Sequence, residues 1–272
     1  MLATALRHFL LAVQFFTRIP ITGRLADWVG FSPAMLRASA AYFPAIGWII
    51  GGLTSAVFAG LAHALPAGQA GLFVAVVFST IFGVLLTGAF HEDGLADLCD
   101  GLGGSLERER ALDIMKDSRV GTYGAIALVL VLLARTGLLV LIGQAGLWFV
   151  TVALFAGHVT SRMTPLFIVL TLPHVGDTAQ SKSKPLADQI SLGSLLVALA
   201  WTGAGLGLAF YLQPGPWWLA AVGAALVALF YMWRLLRRRL QGFTGDGLGA
   251  TQQVTEVFFL LGLALAMPVL AP

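Results

Sequence analysis

The chain predicts an all-α fold, a polytopic integral membrane helical bundle, and three observations carry that reading. Of its 272 residues 58% are hydrophobic and only 11% charged, with a mean hydropathy of +0.88, where a soluble domain carries roughly 25% charged residues. Seven apolar segments each come near or above the ~20 residues a helix needs to cross a bilayer. Basic residues fall in every second connector, the asymmetry that orients membrane helices.

Taken in order, a short helix near 2–16 comes first. Arg7 and His8 interrupt its apolar run, so it is expected to lie in the membrane interface. Arg7 followed by an apolar stretch faintly resembles a signal peptide. No small-residue cleavage site follows, and Thr17-Arg18-Ile19-Pro20 breaks the run, so the segment is expected to be retained. The spans are expected at 36–65, 70–90, 122–142, 146–172, 191–212, 216–233 and 254–271. The connectors at 66–69, 143–146 and 213–216 carry no charge. The others hold Arg7, Arg18, Arg24 and Arg37, then Arg108, Arg110, Lys116 and Arg119, then Lys182 and Lys184, then Arg234 and Arg237 to Arg239. Fourteen of the sixteen Lys and Arg thus share one face, and only Arg135 and Arg162 lie inside spans. The positive-inside rule makes that face cytoplasmic. A single domain over 1–272 is expected, in the cell inner membrane, with cytoplasmic catalytic loops at 91–121 and 234–253.

Composition also excludes functions. The net charge of +3 and pI near 9.4 come without basic-aromatic stripes or zinc-finger spacing, so nucleic acid is not an expected partner. The single cysteine, Cys99, forms no internal disulfide and is expected to pack.

The chemistry concentrates between His91 and Gly124, which hold eight of the thirteen acidic residues. Asp93, Asp97 and Asp100 stand at i, i+4 and i+7, within roughly 60° of one helix face. Carboxylates so close repel one another unless a cation neutralises them, and an oxygen-only ligand set suits Mg²⁺, which also takes phosphate oxygens. Asp113 and Asp117 follow at i, i+4 with Lys116, Ser118 and Arg119 beside them, the mixture of acids and cations that phosphoryl transfer uses. A charge run solvated in a loop is the alternative. A second constellation, 237–256, contains Thr244, Gly245, Asp246, Gly247 and Gly249, expected as a flexible phosphate-binding turn before a helix opening near Ala250. Gln252 and Glu256 point one way from that helix. In the third, Arg162 lies four residues after His158 and faces the bundle interior, either toward an anionic substrate or toward a buried acid. Arg135 is expected to be structural. His8, His63 and His174 are given no role.

Five segments, FFTRIP (15–20), YFPAIGWIIG (42–51), HEDGLADLCDGLGG (91–104), IMKDSRVGTYG (114–124) and GFTGDGLGA (242–250), resemble the cobalamin synthase family, the adenosylcobinamide-GDP ribazoletransferases. The resemblance implies joining of adenosylcobinamide-GDP and α-ribazole, or its 5′-phosphate, with release of GMP, the last nucleotide-loop step of cobalamin biosynthesis, using Mg²⁺. It implies Asp93, Asp97, Asp100 and Asp117 as metal ligands. One of these acids, or His91, would accept the hydroxyl proton. Arg18, Lys116, Ser118, Arg119 and Arg162 would bind substrate, together with Thr244 and Asp246 of the glycine-rich turn. Glu92 is assigned no ligand role. A homo-oligomer, or association with other cobalamin-assembly enzymes, is a further expectation. A CDP-alcohol phosphotransferase is the nearest rival, but Asp97 and Glu109 stand where that family has Arg and Gly. A cation transporter is the other, and its sites lie near the bilayer midplane.

Overall fold

The computed structural model describes residues 2–176 and 190–267. The predicted basic pair Lys182 and Lys184 and the end of the last predicted span lie outside the described residues. Twelve α-helices follow one another among the described residues, and the sole β-type pairing there is an isolated bridge between His174 and Phe243. Helix α1 is Leu2–Phe16, α2 Gly23–Val29, α3 Pro33–Ser39, α4 Phe43–Ala64, α5 Gln69–Thr87 and α6 Phe90–Gly104. Then come α7 Arg108–Met115, α8 Thr122–Ile142, α9 Leu147–Thr171, α10 Leu192–Leu212, α11 Trp217–Arg239 and α12 Gly245–Ala266. Seven helical segments are long and apolar enough to cross a membrane, at 33–64, 69–87, 122–145, 147–171, 192–212, 217–239 and 245–266.

Helix α9 is the central post, buried on nearly every face. Small residues let its neighbours approach: a Cβ on Gly47 of α4 would meet the His158 carbonyl carbon at 2.9 Å, and one on Gly51 would meet Phe155 Cα at 3.0 Å. Helices associate in lipid through such close packing rather than through the hydrophobic effect. Outward faces of α8, α10 and α11 instead expose Leu130, Leu133, Tyr211, Leu219, Val227 and Phe230. An apolar exterior of this kind is what a bilayer accepts and water does not.

Three boundaries differ from the sequence expectation, each for a physical reason. The region 91–121 is two helices, α6 and α7, joined by a short turn, rather than a loop. Helix α11 does not stop at 233 but runs through the arginines to Arg239. The last of them binds carbonyls of the neighbouring turn, since Arg239 Nη2 donates to Ser105 O at 2.7 Å and Leu102 O at 3.1 Å. Helix α12 opens at Gly245 rather than near Ala250, because the Thr244 hydroxyl accepts from Gly247 N at 3.1 Å and caps it there. Helix α1 is as short as expected, yet its second half packs inward, burying Leu11, Ala12, Val13 and Phe16.

Candidate functional site

The polar end of the bundle is organised around α6. After α5 the chain turns through Gly88 (φ 68°) and Ala89 (φ 59°), both left-handed, and α6 begins at once. Gly88 is needed for two reasons: its φ favours glycine, and a Cβ there would collide with the Arg18 guanidinium. Arg18 is held in turn by its backbone N–H, which donates to Leu86 O at 2.7 Å. Thus the TRIP segment after α1 is pinned beside the start of α6.

Gly94 then lets α12 come close. A Cβ at that position would meet Asp246 Cα at 2.9 Å and Asp246 O at 3.0 Å. This crossing joins Asp246 to the acids of α6. The Asp97 carboxyl is pushed up to about 7 by burial and then by Asp246, Asp93 and Asp100, all of like charge. Asp93, Asp246 and Arg18 share the wall of an open cleft of about 480 Å³, which Gln14 and Thr17 help to line.

Asp100 faces the other way. Its Oδ2 accepts from Gly121 N at 2.7 Å and its Oδ1 from Gly124 N at 2.9 Å, so it caps the N-terminus of α8 from a neighbouring helix. The two glycines of the VGTYG segment are thereby explained. We expect Gly124→Ala, whose Cβ would collide with the Asp100 carboxylate and lie 2.8 Å from Ala96 O, to cost about 1–3 kcal/mol of stability. A thermal melt in detergent checks this, and an unchanged midpoint would refute the cap.

On that side lies a second cleft of about 520 Å³, lined among others by Asp100, Arg110, Asp113, Asp117 and Arg119. Asp117 is held by the Arg119 side chain, with Nε–H donating to Oδ1 at 2.9 Å and Nη2 to Oδ2 at 2.5 Å, and this hydrogen bonding draws its carboxyl down to about 2. Lys116 pairs with Asp113 at 3.3 Å, and Ser118 is exposed on the same turn. Exposed pairs of this kind contribute little stability, and of these groups Asp113, Asp117 and Arg119 line the cleft.

His91, expected as an alternative to the acids for accepting the hydroxyl proton, is buried. Its ring stacks on Phe16 at 6.0 Å, and burial followed by nearby Arg162 holds it well below the usual histidine value, hence neutral. Arg162 lies in a buried polar network. Its Nη1 reaches His158 Nδ1 at 3.0 Å, Arg135 Nε donates to Glu256 Oε1 at 2.9 Å, and Gln252 Nε2 donates to Glu256 Oε2 at 2.7 Å. Glu92, given no ligand role in the sequence, accepts from Gln253 Nε2 at 3.0 Å at the edge of this network. Cys99 is half-buried against the core.

Of the predicted site residues, then, Asp93 and Asp97 come together, with Asp100 pointing to α8 and Asp117 to Arg119. Thr244 and Asp246, read as parts of a flexible turn, are the N-cap and first turn of a helix. Asp246 belongs with the acids, a placement that only the long-range crossing at Gly94 reveals. Among the described residues no three His, Cys, Asp or Glu side chains converge tightly enough to enclose a metal ion by themselves. Mg²⁺ needs no such cage, since it usually takes one or two carboxylates and completes its shell with water and phosphate.

Fold and site together define a polytopic helical membrane protein with a carboxylate cluster between two open clefts at one end of the bundle. The model of the cobalamin-5-phosphate synthase family matches residues 8–264, and the chain belongs to that family. An adenosylcobinamide-GDP ribazoletransferase of Polaromonas naphthalenivorans (strain CJ2) is 56% identical over 274 residues, covering 96% of this chain and 99% of its own length. The protein of that name from Leptothrix cholodnii (strain ATCC 51168 / LMG 8142 / SP-6) is 43% identical over 258 residues, 94% of each chain. One from Vibrio cholerae serotype O1 (strain ATCC 39315 / El Tor Inaba N16961) is 40% identical over 258 residues, 94% of this chain and 92% of its own. No solved structure matches the chain.

Proposed function

We propose that this protein joins adenosylcobinamide-GDP to α-ribazole, or to its 5′-phosphate, and releases GMP. The observation that carries the reading is the gathering of Asp93 and Asp246 beside Arg18 at an open cleft, with Asp97 near enough to both to feel their charge, within a chain that matches the family from residue 8 to 264. A free ribose hydroxyl of the nucleoside attacks the phosphorus nearer cobinamide, the bond from that phosphorus to the bridging oxygen breaks, and GMP leaves with the bridging oxygen. The hydroxyl proton passes to the acid cluster. Asp97, poised near neutrality, suits that role. Arg18 on one side and Arg110 and Arg119 on the other offer charge to phosphate oxygens. Asp100 and Asp117 support the site by fixing α8 and Arg119.

The donor set fits Mg²⁺: all oxygen, with three like charges drawn together. One or two of Asp93, Asp97 and Asp246 would hold it, with water and phosphate oxygens completing its shell, and it would supply positive charge to the diphosphate. The basic ends of α7 and α11 would face the cytoplasm, in the cell inner membrane.

The direct test is GMP release from adenosylcobinamide-GDP by purified protein, with each ribazole form and with Mg²⁺ or a chelator. Release requiring both substrates is expected, and its abolition by chelation is expected too. Turnover undiminished by the chelator would remove the metal, and no release with either nucleoside would remove the reaction. Because the Asp97 carboxyl sits at about 7 without a cation, protons and Mg²⁺ compete for it, and the Mg²⁺ concentration giving half-maximal GMP release is expected to rise as pH falls below that value. A concentration unchanged from pH 5 to 8 would contradict this assignment.

A further inference from the structure

Residues 19–32 join two points that the bundle fixes at one surface of the membrane. Before them, Arg18 N–H donates to Leu86 O at 2.7 Å, at the end of the span 69–87. After them, Pro33 opens the span 33–64. Helices α4 and α5 pack side by side and are joined by the short connector 65–68, so they are antiparallel. The opening of one span and the end of the other therefore lie on the same side, and α2 lies between them at the bilayer surface. One flank of α2 is held by the protein. Val29 is buried, its carbonyl accepts from Arg7 Nε–H at 2.9 Å, and Ala26 packs against the core. The chain then turns at Gly30 (φ 61°). A second flank is apolar and uncovered: Leu25, Trp28 and, just past the turn, Phe31 are 46%, 42% and 66% exposed. Leu25 and Trp28 stand about 60° apart around the helix, and Asp27 lies about 100° beyond Trp28.

We propose that α2 and Phe31 form a lipid-binding corner, seated on the leaflet that the spans cross, with Leu25, Trp28 and Phe31 in the boundary between headgroups and acyl chains. The helix lies flat, and its flanks meet three surroundings: Ala26 and Val29 the protein, Leu25 and Trp28 the lipid, Asp27 the water. Arg24, about 40° from Trp28, stands at the rim, where its guanidinium meets lipid phosphates and its stem covers apolar surface. Tryptophan suits that depth, because its ring is apolar and its N–H reaches the polar layer. Three large apolar side chains set close together are a liability in water, whereas at a membrane surface the same exposure binds. Position decides between lipid and a second copy of this chain as the cover. Tied to a span at each end, the corner cannot leave the bilayer surface. The consequence reaches the first cleft, since Thr17 and Arg18 of its wall lie in the link between α1 and this corner, so the leaflet braces that wall.

The test is tryptophan fluorescence of the purified full chain in phosphatidylcholine nanodiscs, with the Trp28 component read as the difference between wild type and Trp28→Phe. Lipids brominated near the headgroup end of the acyl chain are expected to cut that component about twofold or more, and iodide in the water to change it by less than about a tenth. Lipids brominated at the far end of the chain are expected to quench it less. Moving the probe checks the orientation. In the Trp28→Phe background, Leu25→Trp is expected to be quenched by brominated lipid and Asp27→Trp by iodide. Both positions are exposed, so these replacements leave the packed core untouched. A Trp28 component quenched by iodide and not by brominated lipid overturns the proposal. So does one shielded from both, the result that a second copy of the chain over the patch would give. Equal quenching by lipid at Leu25→Trp and Asp27→Trp overturns the orientation of the helix.

Discussion

Asp97→Asn is expected to lower GMP release by about 10²–10³-fold and, in the absence of divalent cation, to leave the folded protein more stable than wild type. The second half follows from charge. Burial and the neighbouring Asp246, Asp93 and Asp100 raise the Asp97 carboxyl from 3.8 to about 7. Between those values the folded chain keeps a proton that the unfolded chain has already shed. Stability therefore falls as pH rises through that window, and the penalty is complete above it. Partial contact with solvent screens the repulsion, so about 1 kcal/mol is a fair expectation, or about 2–4 °C in melting temperature for a chain of this size. Melts at pH 5 and pH 8, with and without Mg²⁺, check the whole argument. Wild type should melt lower at pH 8, Mg²⁺ should restore it, and Asp97→Asn should respond less to both. A variant that melts below wild type at pH 8 without cation, or that turns over normally, would sink it. A side chain that destabilises its own fold is understandable only where another charge is meant to join it.

How much of this was legible depends on the distance along the chain over which each signal acts. Asp93, Asp97 and Asp100 were readable as one helical face because their spacing is local. The direction of Asp100 was not, because its carboxylate is recruited by amides of Gly121 and Gly124 on another helix. The glycines between 242 and 250 read locally as flexibility. In the fold they bring backbones together, as the contact of Gly94 with Asp246 and of Gly249 with His91 makes plain. Arg234 to Arg239 suggested the end of a span, since charge normally marks it. The helix continues because carbonyls at the end of α6 receive the Arg239 guanidinium. The burial of Arg135 and Arg162 was legible from hydropathy alone, whereas their partner was not, because Glu256 follows Arg135 by 121 residues.

That partner sets the largest expected loss of stability. Arg135 and Glu256 are 7% and 6% exposed at the side chain and 2.9 Å apart. Thr80 accepts from Arg135 at 3.1 Å, while Ser161 and Gln252 donate to Glu256. Charge is costly at such depth unless paired. Glu256→Leu removes one partner and leaves the guanidinium uncompensated, so a loss of about 3–5 kcal/mol is expected. Replacing both, as Arg135→Met with Glu256→Leu, is expected to recover much of it, because the attraction is largely offset by the desolvation of the two ions, though the His158 contact with Glu256 at 3.3 Å stays lost. Equilibrium unfolding in detergent of the four proteins in this cycle measures the coupling directly. Activity should follow stability through geometry. Glu256 lies ten residues along α12 from Asp246, about 15 Å at 1.5 Å per residue, and anchors the helix whose first turn completes the acid cluster. GMP release should therefore collapse in the single variant and largely return in the double one. A double variant as unstable as the sum of the two singles would show that the pair does not act as a unit. One that is stable but inactive would show that the network takes part in the chemistry rather than only positioning it.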